Sequence, residues 1–427
     1  MDAKSESIIA ELSGHHIHVD REHIQRYAVD GNPPVAVVEA GDTEQISELL
    51  QQCNRYGSKV NTRGGGSHQE LGGILSPVDI ALDVSGLCQI LETEPENLSV
   101  TVQCGVRLDD LQTNLAEHGL FLPLNPPHLH ATLGGLVSVN AYGSWCQGYG
   151  TLRDLMLGGR AILADGTDIR FGGKTVKNVA GYDMAKLFIG ALGTLGVLTQ
   201  MTFKVYPIPE RVIRLRIPFG FMESFTGLQQ CVLASDLPIS EFTLKSMGNI
   251  PGYAAVIGLN CREQETTVYR DKLDQLVNGA GEIDILDWNA YLTGQPVIPV
   301  LPDEGSMVLK WTVPLSRFQD VVERIENNLT GTDYVLYGYP GRGVLYAATL
   351  DTGLMGRFHD HIADWRIFAH ELEGRLVLSK APVRFKMGIP VWDIPVRELQ
   401  WHERIKKEFD PHSVFAPGRF IDHEVHA

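Results

Sequence analysis

The clearest pattern of apolar and polar positions lies between Val35 and the glycines that follow Arg63. The run VAVV at 35–38 predicts a short buried strand, and Thr43 is predicted to cap a helix that ends at Gly57. Apolar side chains recur through this helix at helical spacing, which predicts a buried face made of Ile46, Leu49, Leu50, Cys53 and Tyr56. The next strand, KVNTR, runs directly into three glycines, so this part of the chain predicts a strand–helix–strand unit.

The pattern continues to about residue 209. Strands are predicted at 79–84 (DIALDV) and 98–104 (LSVTVQC), and a helix at 106–119. The stretch RAILADGTDIRFGG predicts a hairpin that turns at Asp165-Gly166. A short helix, a glycine turn and a further strand follow, and a pair of prolines closes this region.

Residues 210–395 predict a second domain, of α+β type, that is poorer in glycine than the first. The density of glycine falls there, and strand-like runs such as MVLKWTV and YVLYGY alternate with helical ones. Residues 1–29 are predicted as an N-terminal helical segment, and residues 396–427 as a C-terminal helix and tail. The overall prediction is an α+β protein of two domains.

Composition restricts the class of protein. The chain has 427 residues and a net charge of −16, which argues against a nucleic-acid surface. No apolar run is long enough to span a membrane, and the N-terminus lacks the pattern of a secretory signal. We therefore expect a cytoplasmic protein, with any peripheral contact with an inner membrane made through partner subunits. The six cysteines are scattered singly, so we expect neither an iron–sulfur cluster nor any other metal site in this chain.

The glycines at 64–66 favour an anion site. Consecutive glycines allow several backbone N–H groups to point at one anion, most often a phosphate, and Arg63 adds a positive charge. A flexible surface loop is the alternative. No G-x-G-x-x-G occurs, and FGGKT at 171–175 lacks the first glycine of a P-loop because Asp168 stands in its place. A third type of diphosphate site is therefore required.

Three segments taken together resemble the vanillyl-alcohol oxidase / p-cresol methylhydroxylase family of FAD-binding proteins. They are RGGG at 63–66, ATLGG…NAYG at 131–143 and KNVAGYDMAKLFIGALGTLGVLT at 177–199, and FDPHSVFAPGRF at 409–420 resembles the closing motif of the family. The resemblance implies an α+β fold with a two-subdomain FAD-binding domain at 30–209, an α+β cap domain at 210–395 and a helical tail that returns to the FAD-binding domain. It also implies a non-covalently bound FAD that is contacted by Arg63, Gly64, Gly65, Gly66, Ser67, His68, Thr132, Gly134, Gly135, Asn140, Gly143, Gly193, Gly196 and Val197.

Within this family the third segment looks most like the FAD-binding subunits of bacterial glycolate oxidases (glycolate dehydrogenases). Catalytic members usually contain G-S-E-G-T-L-G, where Ala191 and Leu192 stand here, and an H-x-G-D-G-N stretch that this chain lacks. The resemblance therefore implies a flavin subunit that carries electrons beside a catalytic flavin subunit and an iron–sulfur subunit, in a complex that oxidises a small 2-hydroxy acid. Two alternatives stay open: a self-sufficient flavin oxidase or dehydrogenase for a hydroxy acid or sugar acid, and a structural subunit whose flavin site has decayed.

Oxidation of a 2-hydroxy acid requires a cation that holds the carboxylate and a base that takes the hydroxyl proton. Arg342 is one candidate cation. Arg384 and Lys386 are two more, because they would alternate along one face of a predicted strand. His359 and His361 are candidate bases, although this pair is more typical of a solvated helix start.

Histidines near the glycine segments have structural interpretations that we favour. His128 and His130 would point the same way on an extended segment, and one of them would then lie near the flavin ring. His68 is a weak candidate for covalent flavin attachment, because Ser67 separates it from the glycines. Lys177 is a candidate for neutralising charge near the cofactor.

Overall fold

The computed structural model describes Ala10 and residues 16–174, 182–220, 222–246, 252–293, 305–329 and 334–420. Lys177 and residues 1–9 and 11–15 of the predicted N-terminal helical segment lie outside these residues. The strands are β1 (His16–His18), β2 (Ala36–Glu39), β3 (Val60–Arg63), β4 (Ile80–Asp83), β5 (Ile90–Glu94), β6 (Ser99–Gln103), β7 (Leu120–Phe121), β8 (Met156–Ile162), β9 (Asp168–Gly172), β10 (Val197–Lys204), β11 (Tyr206–Pro207), β12 (Arg211–Phe219), β13 (Ile239–Ser246), β14 (Tyr253–Cys261), β15 (Glu282–Leu286), β16 (Met307–Thr312), β17 (Val335–Tyr339), β18 (Val344–Thr349) and β19 (Arg375–Lys380). The α-helices are α1 (Arg21–Gln25), α2 (Thr43–Tyr56), α3 (Leu108–Ala116), α4 (Leu133–Val139), α5 (Cys146–Tyr149), α6 (Leu152–Leu155), α7 (Ala185–Phe188), α8 (Met222–Ala234), α9 (Thr266–Leu276), α10 (Trp288–Thr293), α11 (Phe318–Asn328), α12 (Thr352–Glu371), α13 (Val383–Lys386) and α14 (Val396–Phe409).

The first domain contains two main sheets. One has the order β1-β2-β4-β3, in which β2, β4 and β3 run parallel. The other is antiparallel, with the order β5-β6-β10-β8-β9. Apolar side chains of both sheets, of α2 and of α3 share one core, so the two sheets form a single folding unit.

Helix α2 follows the predicted pattern closely. Its predicted apolar face is buried apart from Tyr56, which packs at the edge of the core. The helix ends at Gly57, which has a left-handed φ of 69°. The cap differs from the prediction: Asp42, not Thr43, precedes the helix, and its carboxylate accepts a hydrogen bond of 2.8 Å from the amide of Gln45.

The second domain is built on one antiparallel sheet of eight strands, in the order β15-β12-β14-β13-β17-β18-β16-β19. Helices α8, α9, α11 and α12 contribute to the apolar core on one face of this sheet. Alternation along each strand sends the neighbouring side chains to the other face. Leu345 and Leu309 belong to the helix-covered core, whereas Tyr346 and Lys310 face the first domain.

The C-terminal segment packs against the first domain. Helix α14 ends before Asp410, whose buried carboxylate accepts hydrogen bonds from the amides of Val414 (2.7 Å) and Phe415 (2.8 Å). The amide of Val60 in β3 in turn donates to the carbonyl of Val414 at 2.8 Å. The closing motif of the sequence is therefore a turn that adds backbone to the edge of the first sheet.

A buried chain of hydrogen bonds joins the two domains. Trp145 Nε1 donates to the hydroxyl of Tyr291 at 2.8 Å, and that hydroxyl donates to Glu241 Oε2 at 2.7 Å. Trp145 precedes α5 in the first domain, while Glu241 lies on β13 of the second. Burial raises the pKa of the Glu241 carboxyl. These polar groups satisfy one another only when the domains keep this arrangement, which positions the second sheet over the glycine segments.

Candidate active site

The first two glycine segments face each other across a narrow cleft. The amide nitrogen of Gly65 lies 3.5 Å from Thr132 Oγ1, and a Cβ atom added to Gly64 would lie 2.3 Å from the same oxygen. A small cavity of about 80 Å³ occupies the cleft. Its glycine lining comes from all three segments, namely Gly64, Gly65, Gly66, Gly134, Gly135, Gly193 and Gly196, and Ser67, His68, Thr132 and Val197 line it as well.

Glycine is required at different positions of these segments for different physical reasons. A Cβ on Gly134 would lie 2.8 Å from Cys104 Cβ, so this glycine is needed for close packing. Gly66 has a φ of +78°, which favours glycine whatever its surroundings. Gly143, in contrast, lines neither this cavity nor the larger one beside it, because it packs against the Asn125 backbone. Its predicted contact with a cofactor therefore has no support in this geometry.

Unpaired amides line the cleft beside the first glycine segment. Within the described part of the chain, the amides of Gly66, Ser67 and His68 donate to no acceptor. Successive amides without partners are the donors that an anion nest requires. The cleft is thus suited to hold a phosphate group through the main chain.

Arg63 does not line the small cavity, although its guanidinium packs against Gly66, where an added Cβ would lie 2.6 Å from Arg63 Nε. Its guanidinium carbon lies 4.5 Å from the centroid of the Tyr27 ring, and its Nη1 donates to the carbonyl of Arg26. The side chain therefore ties the end of α1 to β3. Among the described residues, the cation that lines the small cavity is Arg419 of the closing motif.

A second cavity, of about 680 Å³, adjoins the first and lies between the two domains. Both cavities are lined by His68, Leu71, Val139 and Leu192, which mark the place where they meet. The first domain contributes Asn140, whose Oδ1 is buried without a hydrogen-bond partner among the described residues. The second sheet and α14 close the opposite side.

The lining of the large cavity is rich in positive charge. Its cations are Arg153, Lys186, Lys310, Arg375 and Lys406. Among the described residues of the lining, Glu373 is the one carboxylate, although the chain as a whole carries a charge of −16. A cationic cavity in an acidic protein favours an anionic ligand.

His68 occupies the junction of the two cavities. Its Nδ1 lies 2.9 Å from Ser67 Oγ, and its ring meets the ring of His128 edge to face at 5.2 Å. Burial, together with the charges of the nearby His128 and Lys380, lowers the pKa of His68 to about 4, so the ring is neutral at pH 7. The segment before Thr132 is not extended, and His130 points instead to the surface, where it pairs with Asp109 at 2.6 Å.

The predicted substrate cations lie outside the large cavity. Arg342 Nε donates to the carbonyl of Cys146 at 3.0 Å and so joins the domains. Arg384 and Lys386 do not alternate on a strand, because Pro382 opens the short helix α13 there. Arg384 stacks on Phe385, with its guanidinium carbon 4.8 Å from the ring centroid.

Lys386 is a buried structural residue. Its Nζ donates to the carbonyl of Glu70 at 2.7 Å and lies 3.7 Å from Asp30 Oδ1. Burial lowers its pKa to about 8. His359 is not at a helix start. Helix α12 begins at Thr352, seven positions earlier, after the cap Asp351, and places His359 in its interior beside Phe385.

One cluster of potential metal ligands lies away from these cavities. His18, His23 and Glu39 offer ligand atoms within 4.8 Å of one another. The two imidazole rings stack with centroids 4.0 Å apart and planes inclined by 19°. Because a ring nitrogen binds a metal in the plane of its ring, two nearly parallel rings do not direct both nitrogens at one ion. The arrangement is that of a stacked pair beside a carboxylate.

Comparison with known proteins identifies the family. An FAD binding domain model matches residues 34–172. The D-lactate dehydrogenase of Archaeoglobus fulgidus is 34% identical over 424 residues, which cover 92% of this chain and 95% of that protein. The chain belongs to the family of FAD-dependent 2-hydroxy-acid dehydrogenases.

Two further similarities add detail to this family assignment. Glycolate oxidase subunit GlcE of Escherichia coli is 38% identical over 161 residues, or 37% of this chain and 46% of that protein. A solved structure of alkyldihydroxyacetonephosphate synthase superposes with a TM-score of 0.72 at 15% identity, over 96% of this chain and 84% of the other. The latter shows the fold, and it confirms the predicted α+β architecture of an FAD-binding domain followed by a cap domain. No helix among the described residues is long and apolar enough to cross a membrane.

The cleft and the large cavity fit the cofactor of this family. The unpaired amides at 66–68 would hold its diphosphate, and the glycines would let it lie against the main chain. The glycine motifs indicate most of this cleft, but they do not indicate Leu71, Arg419 or the lining from the second sheet. For Arg419 the sequence offers one signal, the motif P-G-R that contains it.

Proposed function

We propose that the chain is an FAD-dependent dehydrogenase of a small 2-hydroxy acid, of the D-lactate or glycolate type, and that it binds both FAD and the acid. FAD is non-covalent in this proposal, since the glycine loop offers main-chain donors for its diphosphate and Ser67 separates His68 from the glycines. The cationic cavity that adjoins the glycine cleft carries the proposal. Its lining would attract an anionic substrate to the cofactor.

The reaction converts the C2 hydroxyl of the acid to a carbonyl, with loss of the hydroxyl proton and of a hydride from C2. FAD, when bound, supplies the hydride acceptor. The chain must hold the carboxylate and accept the proton. His68 and His402 line the large cavity, and burial lowers the pKa of each, so both rings are neutral at pH 7 and able to accept a proton.

A second candidate is the role of an electron-carrying FAD subunit in a glycolate-oxidase-type complex. In that complex a separate catalytic flavin subunit would oxidise the acid and an iron–sulfur subunit would exchange electrons with this chain. The match to glycolate oxidase subunit GlcE over 161 residues favours this role. The full-length match to a D-lactate dehydrogenase favours the first proposal, because it includes the cap domain that lines the large cavity.

Anaerobic titration of the purified protein separates these functions. Yellow protein whose flavin absorbance is bleached by D-lactate or glycolate supports a dehydrogenase that acts alone. Bleaching that requires co-purified flavin and iron–sulfur subunits supports the electron-carrying role. Protein that neither retains FAD nor binds it on addition contradicts both and leaves a structural subunit.

A further inference from the structure

A row of polar side chains crosses the cap sheet where it faces the large cavity. Lys310 on β16 is paired in register with Tyr346 on β18, which is in turn paired with Tyr337 on β17. Residues paired in this way point to the same face of a sheet, and Tyr339, two positions beyond Tyr337, shares that face. All four line the large cavity, and Tyr142 of the first domain lines it opposite them.

Lys310 lacks the carboxylate partner that other cations of the cavity possess. Lys186 Nζ lies 2.9 Å from Asp183, and Arg375 makes two hydrogen bonds of 3.0 Å to Glu398. Within the described part of the chain, Lys310 has no hydrogen-bond acceptor in reach. Its contacts there are the rings of Tyr142 and Tyr346, each with its centroid 5.8 Å from Nζ. A half-buried ammonium without a carboxylate partner is suited to bind an anion in the cavity.

The tyrosine hydroxyls around Lys310 are also without partners. Tyr337 stacks on Tyr346 with ring centroids 4.6 Å apart, and Tyr142 lies 6.0 Å from Tyr339. No hydroxyl of these four tyrosines makes a hydrogen bond within the described residues. Burial raises the pKa of each, that of Tyr142 to about 12, so all four hydroxyls keep their protons at neutral pH. Buried phenols normally bond to a partner, and here the open side of each faces the cavity.

We infer that Lys310, together with the hydroxyls of Tyr142, Tyr337 and Tyr346, forms the subsite that holds the substrate carboxylate. The inference rests on the proposed function and narrows its substrate class to monocarboxylates. Arg153 is the other lining cation with no carboxylate partner among the described residues, and it is exposed. A single cation at the aromatic face therefore matches one carboxylate, as in D-lactate or glycolate, rather than the two of a 2-hydroxy diacid.

The test compares Lys310→Met and Lys310→Arg with the wild-type protein, and uses Lys272→Met as the control. Lys272 is an exposed cap residue that pairs with Asp236. Three quantities are measured for each FAD-loaded protein: KM and kcat for D-lactate, and Kd for propionate, a monocarboxylate without a hydroxyl group that the flavin does not oxidise, from the change in flavin absorbance. Lys310→Met should raise KM and the propionate Kd together, by about 10- to 100-fold, with the larger effect on KM than on kcat. Lys310→Arg should restore part of the affinity, and Lys272→Met should match the wild type.

Different results overturn different claims. Wild-type protein that is reduced by D-lactate, with an unchanged KM and propionate Kd in Lys310→Met, contradicts the subsite but leaves the proposed function intact. A Lys310→Met protein that has lost FAD, while wild-type and Lys310→Arg proteins retain it, shows that Lys310 serves the cofactor and contradicts the subsite as well. Wild-type protein that holds FAD but is reduced by no 2-hydroxy acid overturns the proposed function together with the substrate class.

Discussion

Lys386 Nζ lies 3.7 Å from Asp30 Oδ1, and both side chains are buried at the place where the cap, the closing motif and the glycine loop meet. The other carboxylate oxygen of Asp30 lies 3.3 Å from Arg419 Nη1 and accepts a hydrogen bond of 2.9 Å from the amide of Leu75. One carboxylate thus compensates two buried cations. The cluster holds the segment after the glycine loop, because Lys386 and Arg419 also bond to the carbonyls of Glu70 and Gly73.

Replacement of Asp30 should therefore destabilise the fold. Asp30→Asn removes the carboxylate that contacts the buried Lys386 and Arg419, and among the described residues only the charge of Glu70 still acts on both. We expect the free energy of unfolding to fall by about 3–5 kcal/mol. Chemical denaturation monitored by circular dichroism measures this. Glu22→Gln is the control, since Glu22 and Arg26 form an exposed pair that contributes little. Equal stabilities for Asp30→Asn and Glu22→Gln would contradict the compensating role of Asp30.

The hydrogen-bond chain between the two domains leads to a second prediction about stability. Tyr291→Phe removes the hydroxyl between Trp145 Nε1 and Glu241, so the buried indole loses its acceptor and the buried carboxylate loses one of its donors. We expect a loss of about 1–3 kcal/mol in the free energy of unfolding. Tyr182→Phe, at a side chain that is 94% exposed, is the matched control. A Tyr291→Phe protein as stable as Tyr182→Phe would show that the hydrogen-bond chain does not join the domains.

His68 predicts a pH dependence of stability. Its pKa in the folded chain is about 4, below the usual value of 6.5, so the unfolded state binds more protons between these values. Stability is therefore fully present above pH 6.5 and decreases as the pH falls toward 4, by at most about 1.4 kcal/mol per pH unit. His68→Gln removes this contribution, and its unfolding free energy should decline less steeply across the window. Between pH 7 and 8 the difference between the two proteins should stay constant, and parallel curves at all pH values would contradict the pKa.

Sequence patterns predicted the parts of the fold that depend on interactions between residues close together in the chain. The face of α2 follows from its periodicity, and the hairpin turn at Asp165-Gly166 follows from a glycine with a φ of +82°. The glycine segments identified the cleft, because so many glycines near one another imply something pressed against the main chain. Strand β13 was missed because the polar residues Ser240 and Glu241 interrupt its apolar pattern, and their partners lie elsewhere in the chain.

Roles that depend on distant partners were not predictable. Lys386 looked free in the sequence, yet Asp30, more than three hundred residues away, compensates its charge. Arg63 directly precedes the three glycines, but its guanidinium lies over the ring of Tyr27. Lys310 was one polar residue inside an apolar strand, and its significance arises only when sheet pairing brings Tyr346 beside it.

The central claim is that the two glycine segments hold the diphosphate of one FAD, and Gly65 tests it most directly. A Cβ at Gly65 would be 3.6 Å from its nearest neighbour, Thr132 Cγ2, and its φ is not left-handed, so the backbone tolerates a side chain there. Gly65→Asp and Gly65→Asn introduce side chains of the same shape, and only the first adds a negative charge beside the unpaired amides. The measurement is the molar ratio of FAD to protein after purification and after incubation with added FAD. The account predicts that Gly65→Asp retains almost no FAD while Gly65→Asn retains a substantial fraction, with both proteins folded. Wild-type flavin content in Gly65→Asp would contradict the account.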